Sequence, residues 1–320
     1  MISVVIPLYN KESTIERTVN SVLAQTVNDW ELIVVDDGSS DNGPASVKQF
    51  EDRRIRLVTQ ANAGVSAARN RGVDLSNSDI VAFVDADDYW DPSHLSNLLE
   101  LVKRFPEASI FATAYFMVGE VGQIRKTRLR NHATPSETMR ISDYFFDALD
   151  GDPPVCSSAV AVSKAAFSQI GGFPLEVEAG EDLITWARLA CVGKVAYSTR
   201  ATAFILSPPI SAKRNSSAIR RPPRHDYVGN ELAKLCVHAS TPKSSLRLYL
   251  GNWYRIRAVL FMELSERRDC LVELGKAIRT SGVRLRDVAI FVLLLMPAAG
   301  RAKLLCRWRQ RHSLRPDATQ

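Results

Sequence analysis

The sequence alternates short apolar runs with amphipathic stretches over its first 100 residues, and this alternation constrains the fold more than any other feature. The apolar runs at residues 2–8, 32–35, 55–59 and 79–84 have the length and composition of buried strands. The stretches between them carry apolar side chains at helical spacing. Strands that alternate with helices in this way predict βαβ units, a parallel sheet and right-handed crossovers. An α/β domain is therefore expected.

Polar residues follow the predicted strands at the points where they end. The second strand leads into the turn of Asp36 and Asp37, and the fourth leads into the acidic residues 85–88. Ligands of open α/β sheets bind beyond the carboxyl ends of the strands, so a cation and its ligand are expected at this edge. A plain acidic turn before a helix start at residues 91–92 is the alternative. The chain contains no Gly-x-Gly-x-x-Gly or Walker A sequence, which argues against dinucleotide and P-loop sites.

Charge is spread unevenly along the 320 residues. Residues 1–200 contain 19 Lys+Arg against 27 Asp+Glu, whereas residues 201–320 contain 22 against 8. The first part is expected to hold an acidic site and the second to meet an anionic surface.

The five scattered cysteines lack Cys-x-x-Cys spacing, which favours a reducing cytoplasm over a disulfide framework or a zinc site. No basic region precedes the first strand and no apolar run approaches about 20 residues, so neither a signal peptide nor a membrane-spanning helix is expected.

Five motifs then occur in order: VVIPLYN at 4–10, VDDGSSD at 35–41, NAGVSAARNRG at 62–72, VDADD at 84–88 and IGGFPLEVEAGEDLI at 170–184. Each motif is weak alone, but the set resembles the inverting glycosyltransferase family 2 over about residues 1–200. The resemblance implies the GT-A fold, which is Rossmann-like with a mostly parallel sheet flanked by helices. It also implies a nucleotide-sugar donor, expected here to be UDP-linked.

The resemblance places the donor at the strand ends. Pro7 and Tyr9 would bound the base, and Asp37 would accept a hydrogen bond from the uracil ring N–H. Arg69 would contact the base or the phosphates. The structural alternatives are a turn in which Asp37 bonds its own backbone and a surface helix position for Arg69.

Asp85 and Asp87 resemble the DxD motif of this family. Asp87 would ligate Mg²⁺ or Mn²⁺, which prefer oxygen ligands, and Asp85 would hold the ribose or complete the metal shell. Asp88 fits either a supporting role or an ordinary helix-start acid. Many relatives place a histidine after the Glu-Asp motif to help to hold the metal, but residues 200–209 contain none. The affinity for the metal is therefore expected to be lower than the DxD motif alone implies.

Glu181 and Asp182 precede a predicted amphipathic helix at residues 183–189. The resemblance implies that Asp182 is the general base that takes a proton from the acceptor hydroxyl. The helix dipole also favours acids in a first turn, so a capping role is the alternative. Further support for the site is expected from Asp36, Asp88, Glu181 and Trp186. Trp186 would stack on a sugar ring, although large aromatic side chains are more often packed.

The sequence predicts three segments: a catalytic domain at 1–206, a basic Pro/Ser-rich segment at 207–225 and a basic helical region at 226–320. The middle segment is expected to be either a lid over the donor or a plain linker. Helices are expected near residues 227–239, 243–264, 266–280 and 285–295.

The basic residues of the C-terminal region alternate with apolar and aromatic ones. Arg247, Arg255 and Arg257 interleave with such residues on the second of these helices, and residues 300–312 repeat the pattern. This pattern suits the anionic face of a bilayer. A helical tail that packs on the catalytic domain with a solvated basic face is the alternative. No nucleic-acid partner is expected, because no DNA- or RNA-reading motif is present.

The sequence therefore predicts a cytoplasmic, metal-assisted inverting glycosyltransferase that docks at the inner face of the cell membrane. Its acceptor is expected to be a glycan or a lipid-linked sugar in surface polysaccharide, lipopolysaccharide or glycolipid synthesis. One alternative is a non-catalytic nucleotide-sugar or membrane-surface binding module, which the missing histidine makes conceivable. Another is a sugar nucleotidyltransferase, although residues 1–20 lack the Gly-rich phosphate loop of that class.

Overall fold

The computed structural model describes residues 1–119, 122–129, 137–149, 152–177, 179–206, 221–238 and 243–296. Within these residues ten strands form one sheet: β1 (Ile2–Leu8), β2 (Trp30–Asp36), β3 (Ile55–Thr59), β4 (Ile80–Phe83), β5 (Tyr89–Trp90), β6 (Ala108–Val118), β7 (Ile124–Lys126), β8 (Thr138–Ile141), β9 (Val160–Ser163) and β10 (Lys194–Leu206). The strand order is β3-β2-β1-β4-β9-β6-β10-β5, with β7 beside β6 and β8 beside β10.

The sheet is mixed, with a parallel majority. Strands β1 to β4, β6 and β10 all run in one direction, because the antiparallel strand β9 lies between β4 and β6. Leu8 of β1 pairs with Asp36 of β2, and Val5 of β1 pairs with Phe83 of β4. The segments that follow these three strands therefore emerge at one edge of the sheet, as the sequence predicts.

Helices cover both faces of the sheet and continue beyond it. They are α1 (Glu12–Leu23), α2 (Gly43–Lys48), α3 (Val65–Leu75), α4 (His94–Arg104), α5 (Tyr144–Asp147), α6 (Lys164–Gln169), α7 (Glu181–Val192), α8 (Tyr227–His238), α9 (Lys243–Glu263), α10 (Arg267–Ser281) and α11 (Leu285–Leu295), with a short 3₁₀ helix at Ser157–Ala159. The expected α/β architecture with a C-terminal helical extension is confirmed.

Helix α3 lies unusually close to β1, and this approach positions the site residues that α3 carries. A Cβ atom on Gly72 would lie 2.3 Å from Cγ1 of Val5. Real side chains do not tolerate such a separation, so the absence of a side chain at Gly72 lets the helix settle directly on the strand.

The C-terminal helices share a hydrophobic core with the sheet. Leu232 of α8 and Leu246 of α9 belong to the same buried cluster as Phe83 of β4 and Trp186 of α7. The predicted boundaries at residues 206 and 225 stay predictions. Residues 207–220 and 300–312, which carry most of the predicted lid and the last basic segment, lie outside the described residues.

One expectation about α9 is wrong. Arg255 and Arg257, which we expected to face an anionic bilayer, are each only 3% exposed. Arg255 is paired with Asp287 of α11, and Arg257 lies between two buried carboxylates. A charged side chain is buried only when it is paired, and the acidic partners lie too far along the chain to be evident from the sequence of α9. Among the described residues, no helix is both long and apolar enough to cross a membrane.

Candidate active site

The loop after β4 carries three carboxylates, and helix α1 fastens its backbone. Thr18 Oγ1 donates to the carbonyl oxygens of Ala86, at 3.0 Å, and Asp88, at 2.7 Å. Arg17 Nη2 donates to the carbonyl oxygen of Asp87 at 2.7 Å. The loop is therefore held in one shape by the helix that follows β1, and Asp85 and Asp87 present their side chains from a fixed backbone.

Asp88 supports this loop from the interior. It is 4% exposed, and its carboxylate accepts hydrogen bonds from Ser158 Oγ at 2.5 Å and from Leu206 N at 2.8 Å. Burial, together with the negative charge of Asp85, raises the pKa of Asp88 to about 7. The helix-start alternative does not apply, because α4 begins at His94 and Asp88 bonds elsewhere. Asp88 therefore ties the acidic loop to the 3₁₀ helix and to the end of β10.

Arg69 of α3 joins two acidic motifs that lie far apart in the sequence. Its guanidinium lies 2.7 Å from Asp85 Oδ1 and 3.3 Å from Glu181 Oε1. Arg69 is 3% exposed, so the surface-helix alternative is wrong. A buried cation needs opposite charge beside it, and these two carboxylates supply that charge. Contact between Arg69 and the donor stays a prediction, and the observed contacts make it a residue that positions Asp85 and Glu181.

Asp87 faces a cation that the sequence reasoning missed. Nζ of Lys11, at the start of α1, lies 2.5 Å from Asp87 Oδ2, and the two side chains are 42% and 36% exposed. The carboxylate is thus open to solvent but already paired with one positive charge, which a divalent cation would have to displace. Asp87 and Asp85 offer the carboxylate oxygens that a hard cation prefers as ligands. In the part of the chain that the structure describes, no three or more His, Cys, Asp or Glu side chains are grouped so that they could hold a metal ion.

The two acids at the end of β2, Asp36 and Asp37, organise turns. Asp36 Oδ1 accepts from Ser39 N at 2.9 Å. Asp37 is 2% exposed, and its carboxylate accepts from Gln60 Nε2 at 2.8 Å, Ala63 N at 2.9 Å and Gly64 N at 2.8 Å. Both acids therefore shape the loops that would surround a base. A carboxylate has about four acceptor positions, so one remains for the predicted contact between Asp37 and uracil.

The end of β1 supplies the remaining predicted donor contacts. Pro7 is half-buried in the sheet, whereas Tyr9 is 49% exposed just beyond it. Asn10 follows with a φ of 52°, and its Oδ1 accepts from Ser40 N at 2.8 Å. This bond joins the turn after β1 to the turn after β2, so Tyr9 lies at the junction of two strand ends. The contact of Pro7 and Tyr9 with a base stays a prediction.

Asp182 lies in the first turn of α7 and is partly buried. Burial and the neighbouring charge of Glu181 raise the pKa of Asp182. Its Oδ1 accepts from Leu183 N at 2.7 Å, which leaves further acceptor positions on the carboxylate. A carboxylate with a raised pKa is a better proton acceptor, so the environment suits a general base.

Two tyrosines near Asp182 also escaped the sequence reasoning. Tyr144 of α5 and Tyr249 of α9 are buried, and their rings pack with centroids 6.4 Å apart. Burial raises the pKa of both hydroxyls, and the charge of Asp182 contributes to the pKa of each. A C-terminal helix therefore forms part of the surroundings of the predicted base. No local motif signals this, because the tyrosines meet only through the tertiary fold.

The glycine pair before α7 is locked to α3. Gly171 and Gly172 have φ angles of 78° and 73°, values that residues with a side chain rarely adopt. Asn70 Nδ2 donates to the carbonyl oxygen of Phe173 at 2.8 Å, and Asn70 Oδ1 accepts from Phe173 N at 2.8 Å. The paired bonds hold the Gly-Gly loop against α3, next to Arg69.

The proposed stacking role of Trp186 is wrong. Trp186 is 1% exposed, and its ring packs against Phe83 at 6.4 Å and Phe173 at 5.5 Å between centroids. A side chain enclosed in this way cannot offer a face to a sugar. Trp90 is also buried, and its Nε1 donates to the carbonyl oxygen of Ser158 at 2.7 Å. Both tryptophans belong to the core that supports the site.

Comparisons with known proteins find glycosyltransferases among the relatives of this chain. A family model described as glycosyl transferase family 2 matches residues 3–171. The chain is 32% identical over 200 residues to the putative teichuronic acid biosynthesis glycosyltransferase TuaG of Bacillus subtilis (strain 168), covering 62% of this chain and 75% of TuaG. It is 42% identical over 102 residues to the UDP-Glc:alpha-D-GlcNAc-diphosphoundecaprenol beta-1,3-glucosyltransferase WfgD of Escherichia coli, covering 32% of this chain and 39% of WfgD. The chain thus spans well under half the length of some curated relatives.

Solved structures show the same fold at low sequence identity. Residues 1–349 of S. aureus TarS in complex with UDP-GlcNAc match with a TM-score of 0.65 at 19% identity, covering 90% of this chain and 83% of that one. The mannosyltransferase PcManGT from Pyrobaculum calidifontis in complex with GDP-Man and Mn²⁺ matches with a TM-score of 0.53 at 18% identity, covering 97% and 86%. The predicted GT-A fold class is confirmed by this likeness.

Proposed function

Because the chain belongs to glycosyl transferase family 2, we propose that it moves a sugar from a nucleoside diphosphate donor to an acceptor hydroxyl with inversion at the anomeric carbon. The observation that carries this proposal is the position of Arg69 between Asp85 and Glu181. These ion pairs bring the acidic motif after β4 and the Glu-Asp motif of α7 to one site. A donor-binding group and a base must meet in this way for a direct displacement.

The proposed chemistry is a single in-line displacement. Asp182 takes the proton from the acceptor hydroxyl as its oxygen attacks the anomeric carbon. The bond from that carbon to the diphosphate oxygen breaks at the same time, and the diphosphate leaves with the electron pair. The raised pKa of Asp182 strengthens it as a base, and Glu181 contributes to that shift. No protein nucleophile is required.

The diphosphate is expected to bind with Mg²⁺ or Mn²⁺ at Asp87, with Asp85 beside it. When bound, the cation would neutralise charge on the leaving group. Asp87 must then exchange its contact with Lys11 for a contact with the cation, since Lys11 Nζ already lies 2.5 Å from Asp87 Oδ2. The displaced ammonium group would remain near the phosphates and add to their neutralisation.

We propose UDP as the nucleotide, bounded by Pro7, Tyr9 and Asp37. Supporting this, TarS was solved with UDP-GlcNAc, and the name of WfgD specifies UDP-Glc and a diphosphoundecaprenol-linked acceptor. A glycan or lipid-linked acceptor follows as the proposed acceptor class, with the enzyme working in the cytoplasm at the inner face of the membrane. We retain 1–206 as the proposed catalytic segment, 207–225 as a basic loop or lid and 226–320 as the helical region.

A thermal-shift panel tests the proposal. UDP, GDP, CDP and ADP are each added with and without Mn²⁺, because a ligand that binds only the folded state raises the melting temperature. We expect the largest shift with UDP plus Mn²⁺. The shift should vanish in Asp87→Ala and persist in the matched surface variant Asp29→Ala. If no nucleotide shifts the melting temperature, the proposal that the chain binds a nucleoside diphosphate donor is wrong. Nucleotide binding without any sugar transfer would favour the non-catalytic binding module instead.

A further inference from the structure

Helix α11 exposes an apolar face that the described residues leave uncovered. The residues of this outer apolar face are between 51% and 90% exposed: Leu285, Val288, Phe291, Val292 and Leu295. They recur at helical spacing, so their side chains lie on one side of the helix. Exposed apolar residues that cluster on one helix face are unusual on a soluble protein surface and mark an interaction site.

The opposite face of α11 already has its partners. Ile290 and Leu294 pack in the same cluster as Phe261 of α9 and Leu274 of α10, and Asp287 pairs with Arg255. The helix is therefore apolar on its outer side as well as on its packed side. A helix with this character requires a second apolar environment. Its 11 residues extend only about 16 Å, far less than the thickness of a bilayer.

Positive charge surrounds apolar groups on the neighbouring helix α10. Arg268, Lys276 and Arg279 line a shallow depression of about 620 Å³ together with Leu271 and Val272. Both of these apolar side chains are about half exposed, and Arg268 and Arg279 are exposed. Apolar side chains beside Lys and Arg match the boundary between acyl chains and anionic headgroups.

We propose that the outer surface of α10 and α11 docks on an anionic lipid bilayer, with the outer apolar face of α11 inserted at the headgroup boundary. This inference rests on the proposed function, because a lipid-linked acceptor would be presented at such a surface. It replaces the docking expected on α9, whose Arg255 and Arg257 are buried.

Charge selects a bilayer over two other occupants of this face. Residues 297–320 of the same chain carry six Lys+Arg and one Asp, so they would meet the basic rim with charge of the same sign. A second copy of the chain, related by a twofold axis through this face, would bring the basic rims of the two copies, with Arg268 and Arg279, to the same interface. Like charges in contact oppose association. An anionic membrane is the partner that complements both the apolar groups and the cations.

Vesicle flotation of the full chain tests the proposal. Phosphatidylcholine vesicles with phosphatidylglycerol are compared with vesicles of phosphatidylcholine alone, at low and high salt. We expect binding to the anionic vesicles that weakens as salt rises. The double variant Phe291→Ser, Leu295→Ser should lower the partition coefficient by at least about tenfold, because two large apolar side chains no longer insert. The control Ile124→Ser, Val192→Ser changes exposed apolar residues elsewhere and should bind like the wild type.

Neutralising the basic rim gives an independent measurement. The variant Arg268→Gln, Arg279→Gln should weaken binding to anionic vesicles by about tenfold and reduce its dependence on salt. The matched control Lys48→Gln, Arg53→Gln removes two exposed cations from the catalytic part and should leave binding unchanged. Circular dichroism would verify that each variant is folded.

Two results would overturn the proposal. One is absence of wild-type binding to anionic vesicles at low salt. The other is a wild-type dimer in sedimentation that Phe291→Ser, Leu295→Ser converts to a monomer, which would assign the face to a second copy. The UDP thermal shift is measured on the same samples. If UDP raises the melting temperature but the protein does not bind vesicles, only the docking proposal is wrong. If the protein binds vesicles but no nucleotide raises the melting temperature, the proposed function is wrong.

Discussion

Arg69 at the sheet edge and Arg257 in the C-terminal helices are equally buried, each 3% exposed, but their surroundings differ. The carboxylate of Asp85 beside Arg69 is 34% exposed, so that network opens to solvent on one side. Arg257 contacts Asp226 and Glu273, which are 7% and 5% exposed, and its network is closed. Both networks satisfy buried charge with opposite charge. We infer from this difference that the exposure of the acidic partner, rather than the burial of the arginine, decides whether such a network could contact a ligand or serves only as an internal contact.

The open network should respond to substitution mainly in function. We expect Asp182→Asn to lower the rate of sugar transfer by about 10²–10⁴-fold, because a positioned base contributes that much. The amide can still accept the hydrogen bond from Leu183 N, so the fold and the UDP thermal shift should be nearly unchanged. Transfer kinetics and thermal shift on the same preparation measure both effects. Loss of UDP binding would reassign Asp182 to the donor site.

The closed network should respond mainly in stability. Arg257→Met removes the cation and leaves Asp226 and Glu273 buried without it, which is expected to lower the free energy of unfolding by about 3–5 kcal/mol. Urea unfolding measures this loss, and the UDP shift should persist below the lowered melting temperature. Arg247→Met removes an exposed cation from the same helix and should change stability by less than about 0.5 kcal/mol. Equal losses in the two variants would erase the distinction between the networks.

The pH dependence of transfer tests the charges around Asp182. The base works only when it is deprotonated, so activity should rise with pH through an acidic limb. Burial and Glu181, with a smaller effect of Asp85, raise the pKa of Asp182, whereas Arg69 opposes the shift. The midpoint in kcat/KM should therefore lie above the ordinary carboxyl pKa of about 3.9.

Glu181→Gln sharpens this measurement. Removing the neighbouring negative charge should move the acidic limb to lower pH, while Glu16→Gln on the exposed side of α1 should leave it in place. Tyr144 and Tyr249 have raised pKa values and remain protonated throughout this range. An acidic limb that Glu181→Gln leaves unmoved would show that another group titrates.

The smallest effect is expected at Lys11. Lys11→Met removes the ammonium group that opposes Asp87, so Mn²⁺ should bind about two- to fivefold more tightly in the absence of nucleotide. The Lys48→Met control should bind Mn²⁺ like the wild type. Titration followed by the electron paramagnetic resonance of Mn²⁺ measures affinity without any need for turnover. Weaker binding in Lys11→Met would mean that Lys11 does not compete for this carboxylate.

Much of the structure of residues 1–206 could be predicted from the sequence. Apolar runs predict the positions of the strands. The acids at the strand ends could be placed at one edge of the sheet because parallel strands run in the same direction. Residues 2–8 and 55–59 form strands with the predicted bounds. The four C-terminal helices also lie close to their expected positions, since each has apolar residues at helical spacing.

The contacts of individual side chains could be predicted far less well from the sequence. Asp226, Glu273 and Asp287, which pair with the arginines of α9, lie on other elements, so α9 alone resembled a basic surface helix. Lys11 and the tyrosine pair near Asp182 likewise meet their partners only through the fold. The burial of Trp186 could not be predicted, because a tryptophan beside the Glu-Asp motif has the same local sequence whether it faces solvent or the core.

Arg69 and Asn70 are neighbours on α3, yet they hold different segments of the chain. Arg69 binds the acids at positions 85 and 181, and Asn70 fixes the backbone of Phe173. Two adjacent side chains thus set the spacing between the acidic loop after β4, the start of α7 and the Gly-Gly loop that precedes it. A chimera that takes residues 170–184 from a relative should therefore work only when residues 69–70 are transferred with them.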